Sequence, residues 1–100
     1  MIKATALYGH PTDPVAFEKY YSETHLPIAR RMPGVLRMEL TKFLDAPDGA
    51  QAPYYRMAEF YFSDMAEMQQ SMGSPEGQAT AADLTNFASG GVRILIGVVK

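Results

Sequence analysis

Four short stretches of this chain alternate apolar and mixed side chains at period two, and no other feature restricts its fold as much. Even positions carry Ile2, Ala4, Ala6, Tyr8, Leu36, Met38, Leu40, Ala58, Phe60, Phe62, Ile94, Ile96 and Val98, an almost entirely apolar set. Odd positions carry Lys3, Thr5, Leu7, Arg37, Glu39, Thr41, Tyr55, Met57, Glu59, Tyr61, Arg93 and Leu95, a mixed one. Successive side chains on a strand point to opposite faces, so the two sets belong to the two faces of one sheet, provided no bulge exchanges them. The even face is expected to pack beneath helices. The odd face is too apolar to be left in water, yet its charges can pair with one another.

The order of elements follows from local signals. Residues 2–9 read as a strand stopped by Gly9-His10-Pro11. Asp13-Pro14 supplies a helix cap with proline at the first helical position, and Phe17, Tyr20, Tyr21, Thr24, His25 and Ile28 then share one helical face. Pro27 lacks an amide donor and clashes one turn back, so the helix should break or kink near His25. Residues 35–44 and 54–62 form a hairpin around the turn-rich link DAPDGAQAP. Asp64 with Glu67 resembles a capping box, and Met65, Met68 and Met72 stripe the following helix as a core face. Ser74-Pro75-Glu76 opens a second helical piece to about Leu84, Asn86 to Gly91 form a loop, and residues 92–99 are the last strand. The order is that of an α+β, ferredoxin-like βαββαβ domain with a four-stranded antiparallel sheet, spanning 1–100 as a single domain. Covering the odd face with the sheet of a second copy would make an eight-stranded barrel, a dimeric α/β barrel, so a homodimer is expected.

Composition removes whole classes of function. The formal net charge is -2 and the nine basic residues are scattered, with only Arg30-Arg31 adjacent, so no nucleic-acid footprint exists. Cysteine is absent, which excludes disulfides, thiolate metal sites and cysteine nucleophiles. The apolar run at the start is too short for a signal peptide and nothing approaches a membrane span, so a cytoplasmic protein is expected. Phosphate-binding glycine loops, dinucleotide fingerprints, HExxH and the nucleophile elbow are all missing. With only His10 and His25, no dedicated metal site is expected.

A few residues remain that can carry chemistry. His25 suits general acid–base catalysis or haem ligation, or else caps the broken helix end. Arg56 falls on the apolar even face, where a guanidinium needs an anion. That anion is a substrate carboxylate or enolate, or a protein carboxylate such as Glu23. Glu59, mid-strand on the odd face, is expected to meet Lys3, Arg37 or Arg93 and to be structural. Tyr8 and Tyr21 are the tyrosines placed to orient a phenolic substrate near His25, since the first strand and first helix converge there.

Three segments, LYGHPTDPVAFEKYYSETHLPIA at 7–29, PYYRMAEFYF at 53–62 and SPEGQATAADLTNFASGG at 74–91, together resemble the EthD family, named for ethyl tert-butyl ether degradation. The family is similar to other dimeric α/β-barrel proteins, among them cofactor-independent monooxygenases, polyketide cyclases, lactone isomerases and haem-degrading enzymes. The resemblance implies a cavity inside each subunit between sheet and helices, which favours His25, Arg56 and Tyr21 as catalytic residues over Glu59. It also implies Phe87 as a substrate-binding wall beside Tyr8, and it matches His25 to the histidine of the YYxxTH segment.

Two functions compete on this reading. One is an enzyme of isomerase, cyclase or monooxygenase type acting on a small aromatic or lactone-like metabolite, with His25 as base and Arg56 holding an enolate. The other is a non-catalytic accessory protein that binds a metabolite for an oxygenase or degradation pathway. No cofactor is expected, and haem binding through His25 stays open as a third role.

Overall fold

The computed structural model describes residues 1–100. Strand β1 (Ile2–Tyr8) leads into helix α1 (Pro14–Tyr20), a π-helical turn (Tyr21–His25) and the short helix α2 (Leu26–Ala29). Strands β2 (Arg37–Lys42) and β3 (Arg56–Phe62) follow, then helices α3 (Met65–Gly73) and α4 (Pro75–Asp83), a 3₁₀ turn (Leu84–Asn86) and strand β4 (Val92–Val98). The strands form one antiparallel sheet in the order β2-β3-β1-β4. This is the α+β, ferredoxin-like arrangement. No helix is long and apolar enough to cross a membrane.

Local chemistry accounts for where the helices start. The carboxylates of Asp13 and Asp64 accept from the amides of Ala16 and Glu67 at 3.1 and 2.8 Å, and the Ser74 hydroxyl accepts from Gly77 at 3.1 Å. The break expected near His25 takes a particular form. The Leu26 amide bonds to the carbonyl of Tyr21, five residues back, so the helix widens for one turn instead of ending. Widening is what accommodates Pro27, whose ring an unbroken α-helix would force against the preceding turn.

The pairing of β1 with β3 runs unbroken from Ile2 opposite Phe62 to Tyr8 opposite Arg56, so no bulge exchanges the faces. Beneath the helices, even-numbered Tyr8, Ala6 and Ala58 pack with Phe17, Tyr21, Leu26 and Phe87, while Ile2, Ala4 and Phe62 pack with Met68. Even-face burial fails on β4, where Ile94, Ile96 and Val98 are 48%, 42% and 62% exposed. That strand is the sheet edge, and the helices lie over β1 and β3. Tyr55 also departs from the alternation. It precedes the β3 ladder and turns into the core, 5.2 Å from the ring of Phe17. Of the methionine stripe, Met68 alone is buried.

The odd face carries no helix. Glu59 pairs with Lys3 at 2.8 Å, and the Arg37 guanidinium lies 4.1 Å from the centre of the Tyr61 ring, so charged chains cover part of the apolar surface. Leu95 on the same face is exposed.

One close backbone crossing fixes the end of the sheet nearest Tyr8. Gly9 and Gly90 pass so near each other that a Cβ on either would overlap the other's backbone. The Gly9 amide also donates to the carbonyl of Gly91 at 2.9 Å. This holds the 84–91 loop, with Phe87, against β1. Gly90→Ala is therefore expected to destabilise the protein by about 2 kcal/mol or more. Gly73→Ala, at a position with open space, should raise stability by up to about 1 kcal/mol. Urea denaturation of the two variants checks the contrast.

Candidate functional site

The floor of the space between sheet and helices is built from small residues. Ala6 stands opposite Ala58 on one side and Ile94 on the other, and Ala4 lies one step along the same face. Alanines there do not reach the helices, and an apolar cavity of about 120 Å³ remains. Leu26 and Ala29 of α2 and Gly77, Thr80 and Ala81 of α4 line its other side. Met72, Ala81 and Ile94 are exposed at its rim, on the β4 side of the sheet.

Three polar aromatic residues line this cavity: His25, Tyr8 and Tyr21. The imidazole of His25 is 2% exposed, and its Nδ1–H donates to Oδ2 of Asp83 at 2.9 Å. A carboxylate only accepts, so this bond fixes the proton on Nδ1 and leaves Nε2 as the basic nitrogen. Nε2 faces the Tyr8 hydroxyl at 3.5 Å, a contact at the outer limit of hydrogen bonding. The Tyr21 hydroxyl is buried and has no hydrogen-bond partner in the protein. Its ring is stacked on His25 with centroids 6.0 Å apart, and the Phe87 ring lies 4.5 Å from the imidazole and 6.0 Å from Tyr21.

Asp83 is held from three sides. Tyr20 Oη donates to its Oδ1 at 2.6 Å, Asn86 Nδ2 donates to the same oxygen at 3.0 Å, and His25 takes Oδ2. Burial alone would raise the carboxyl's pKa, but these donors hold it below the usual carboxylate range. Burial lowers the pKa of His25 and outweighs the opposing pull of Asp83, so the imidazole is neutral near pH 7. Burial pushes Tyr21 up to about 12 and Tyr8 higher still, which keeps both hydroxyls protonated as donors. No lysine, arginine, aspartate or glutamate lines the cavity.

The cavity brings together His25, Tyr21 and Tyr8; Phe87, expected as a wall, does not line it and packs against the imidazole. The cavity does not include Arg56 either. The guanidinium instead forks onto Glu18 of α1, with Nε to Oε2 at 2.8 Å and Nη2 to Oε1 at 2.7 Å, and lies 5.1 Å from the Tyr21 ring centre. Of the two alternatives, a substrate anion or a protein carboxylate, the structure has the second, with Glu18 in place of Glu23. Haem does not fit these residues: the cavity holds a single ring, not four joined pyrroles.

Asp83 is the residue that sequence reasoning missed. A signal was present, because an aspartate in the last turn of a helix opposes the negative end of the helix dipole and calls for a compensating donor. Asn86, three residues on, is one such donor.

The fold and cavity define a class: a small ferredoxin-like domain with an apolar cavity between sheet and helices. The EthD domain profile matches residues 9–91. The chain belongs to the EthD family. An uncharacterized 11.0 kDa protein of Rhodococcus erythropolis, from the thcB-thcC intergenic region, is 45% identical over 95 residues, covering 95% of this chain and 91% of that protein. The crystal structure of an EthD-family protein from Bacillus halodurans is 36% identical, covers 100% of this chain and 99% of its own, and has a TM-score of 0.93. SnoaB from Streptomyces nogalater, described as a cofactor-independent oxygenase, is similar at 17% identity and TM-score 0.63 over 99% of this chain and 91% of its own, a likeness of fold alone.

The buried imidazole has a consequence for stability. Its folded pKa lies below the unfolded value near 6.5, so the unfolded chain binds more protons as the medium is acidified. Its contribution is present above about pH 6.5 and is lost as pH falls through the folded pKa. NMR titration should place the His25 midpoint below 6.5, and Asp83→Asn should lower it further by removing the carboxylate's charge. His25→Gln should flatten the decline in stability below pH 6.5, measured by denaturant midpoint across that range.

Proposed function

We propose that this protein is a cofactor-independent enzyme that moves a proton on a small aromatic or lactone-like metabolite. The observation that carries the proposal is the Asp83–His25 contact at the wall of an apolar cavity, which fixes the tautomer and offers Nε2 as a base. Nε2 removes a proton from a carbon beside a carbonyl, and the C–H electron pair becomes the enolate. The Tyr8 and Tyr21 hydroxyls supply hydrogen bonds to the enolate oxygen, the role first expected of Arg56. Return of the proton to a different carbon completes an isomerisation with no external reagent. The neutral imidazole near pH 7 supports the reading, since a protonated one could not begin the step.

The reading includes a homodimer. Pairing of two odd faces would cover the exposed Leu95, and sedimentation at micromolar concentration should give twice the chain mass. A strictly monomeric mass at that concentration would remove the barrel from the proposal.

Deuterium exchange at the α-carbon of an unsaturated five-membered lactone, followed by proton NMR, tests the chemistry. The wild-type protein should accelerate exchange, and His25→Gln should slow it by about 10²–10⁴-fold with its thermal melt retained. Ala6→Leu, which fills the cavity floor, should abolish exchange in a folded protein. Exchange that survives in His25→Gln removes the base. Ligand binding without exchange in the wild type favours the accessory, non-catalytic role.

A further inference from the structure

The polar groups of the cavity are all neutral donors or a neutral base, and no cation lines it. Arg56, behind the Tyr21 ring, is held by both oxygens of Glu18. The charge hydrogen-bonded to the site's polar wall is that of Asp83, which is negative and bonds His25 directly. An anion entering this space would lose its hydration, find no cation and face the field of a carboxylate.

Size sets a second limit. A cavity of 150 Å³ lined by apolar side chains holds benzene, so about 120 Å³ buries one ring at most. Any longer substituent must leave by the rim at Met72, Ala81 and Ile94. A third feature names the contact the ring would make. The Tyr21 hydroxyl is buried without a partner, a condition that costs stability unless something else satisfies it. Tyr21 also lines the cavity.

From these we infer that the cavity selects by charge: it takes an uncharged single-ring molecule whose oxygen is hydrogen-bonded by Tyr21, and it refuses the carboxylate on the same skeleton. This rests on the reading of the cavity as a ligand site, though not on His25 acting as a base. It turns Tyr21 into the residue that discriminates an oxygenated ring from a plain hydrocarbon.

Three probes of one skeleton test it on the full chain at pH 7.5: p-cresol, toluene and 4-methylbenzoate, titrated by NMR. In the wild type, p-cresol should bind about tenfold more tightly than toluene, and 4-methylbenzoate at least about a hundredfold more weakly than p-cresol. Tyr21→Phe should erase the difference between p-cresol and toluene. It should also melt at the wild-type temperature or above, because it removes an unsatisfied hydroxyl. Tyr55→Phe removes another buried hydroxyl, one outside the cavity, and should leave all three affinities unchanged. Equal binding of 4-methylbenzoate and p-cresol would overturn the charge selection. An unchanged preference for p-cresol in Tyr21→Phe, or a clear fall in its melting temperature, would overturn the role of Tyr21. Failure of all three probes to bind would overturn the inference, while the lactone exchange reports separately on proton transfer.

Discussion

The bond between His25 and Asp83 joins the two helical arms that cover the sheet. One partner lies in the π-turn between α1 and α2, and the other is the last residue of α4. Both are buried, so the pair can persist only if its charge is compensated inside the protein. A neutral imidazole meets that condition better than an imidazolium would. It places one negative charge, not two opposite ones, in the interior, and that charge is shared among three donors. The arrangement also sets where the arms stop. The cavity is the space left between them and the sheet once this bond has fixed their spacing.

Small side chains keep that space open. Ala4, Ala6 and Ala58 form the floor, while Ala29, Gly77 and Ala81 approach from the helices. Gly77 has its own reason to be small, since a Cβ there would collide with the carbonyls of Ser71 and Met72 where α4 folds back on α3. The floor alanines have no such constraint from the backbone. Larger apolar residues at those positions would bury more surface and increase stability. A fold selected for stability alone would not leave a cavity flanked by an unpartnered tyrosine hydroxyl.

Much of this architecture was legible because it is written locally. Strand alternation, the Asp13, Asp64 and Ser74 caps and the turn-rich hairpin link all act over a few residues, and each element lies where those signals put it. His25, Tyr21 and Tyr8 were legible for a related reason, since a strand end and a helix face converge wherever β1 hands over to α1. Lys3 was among the partners legible for Glu59, but those of Arg56 and His25 were not legible. Arg56 declared a need for an anion without naming Glu18, because a guanidinium reaches several residues on a neighbouring helix and only packing chooses among them. Asp83 takes its donors from Tyr20 and His25, 63 and 58 residues away, a pairing that no local signal specifies. The alternation rule, in turn, says which face a side chain takes and not whether a helix extends far enough to cover it, which is why Ile94 and Ile96 lie exposed on β4.

The π-turn shows how closely fold and site depend on one another. Pro27 forbids an unbroken α-helix, and a complete break would leave Leu26–Ala29 as an isolated four-residue helix, far too short to persist. Widening the helix by one residue avoids both outcomes, because the Leu26 amide still finds the Tyr21 carbonyl and the chain continues. The same turn carries Tyr21 and His25 into the interior together, their rings inclined at only 16°, while Glu23 stays in solvent. A helix that satisfied its proline by ending at Tyr20 would have no reason to hold those two rings in parallel. The residue that disrupts the helix is thus also what lets one short segment present a base and a hydroxyl donor to the same cavity.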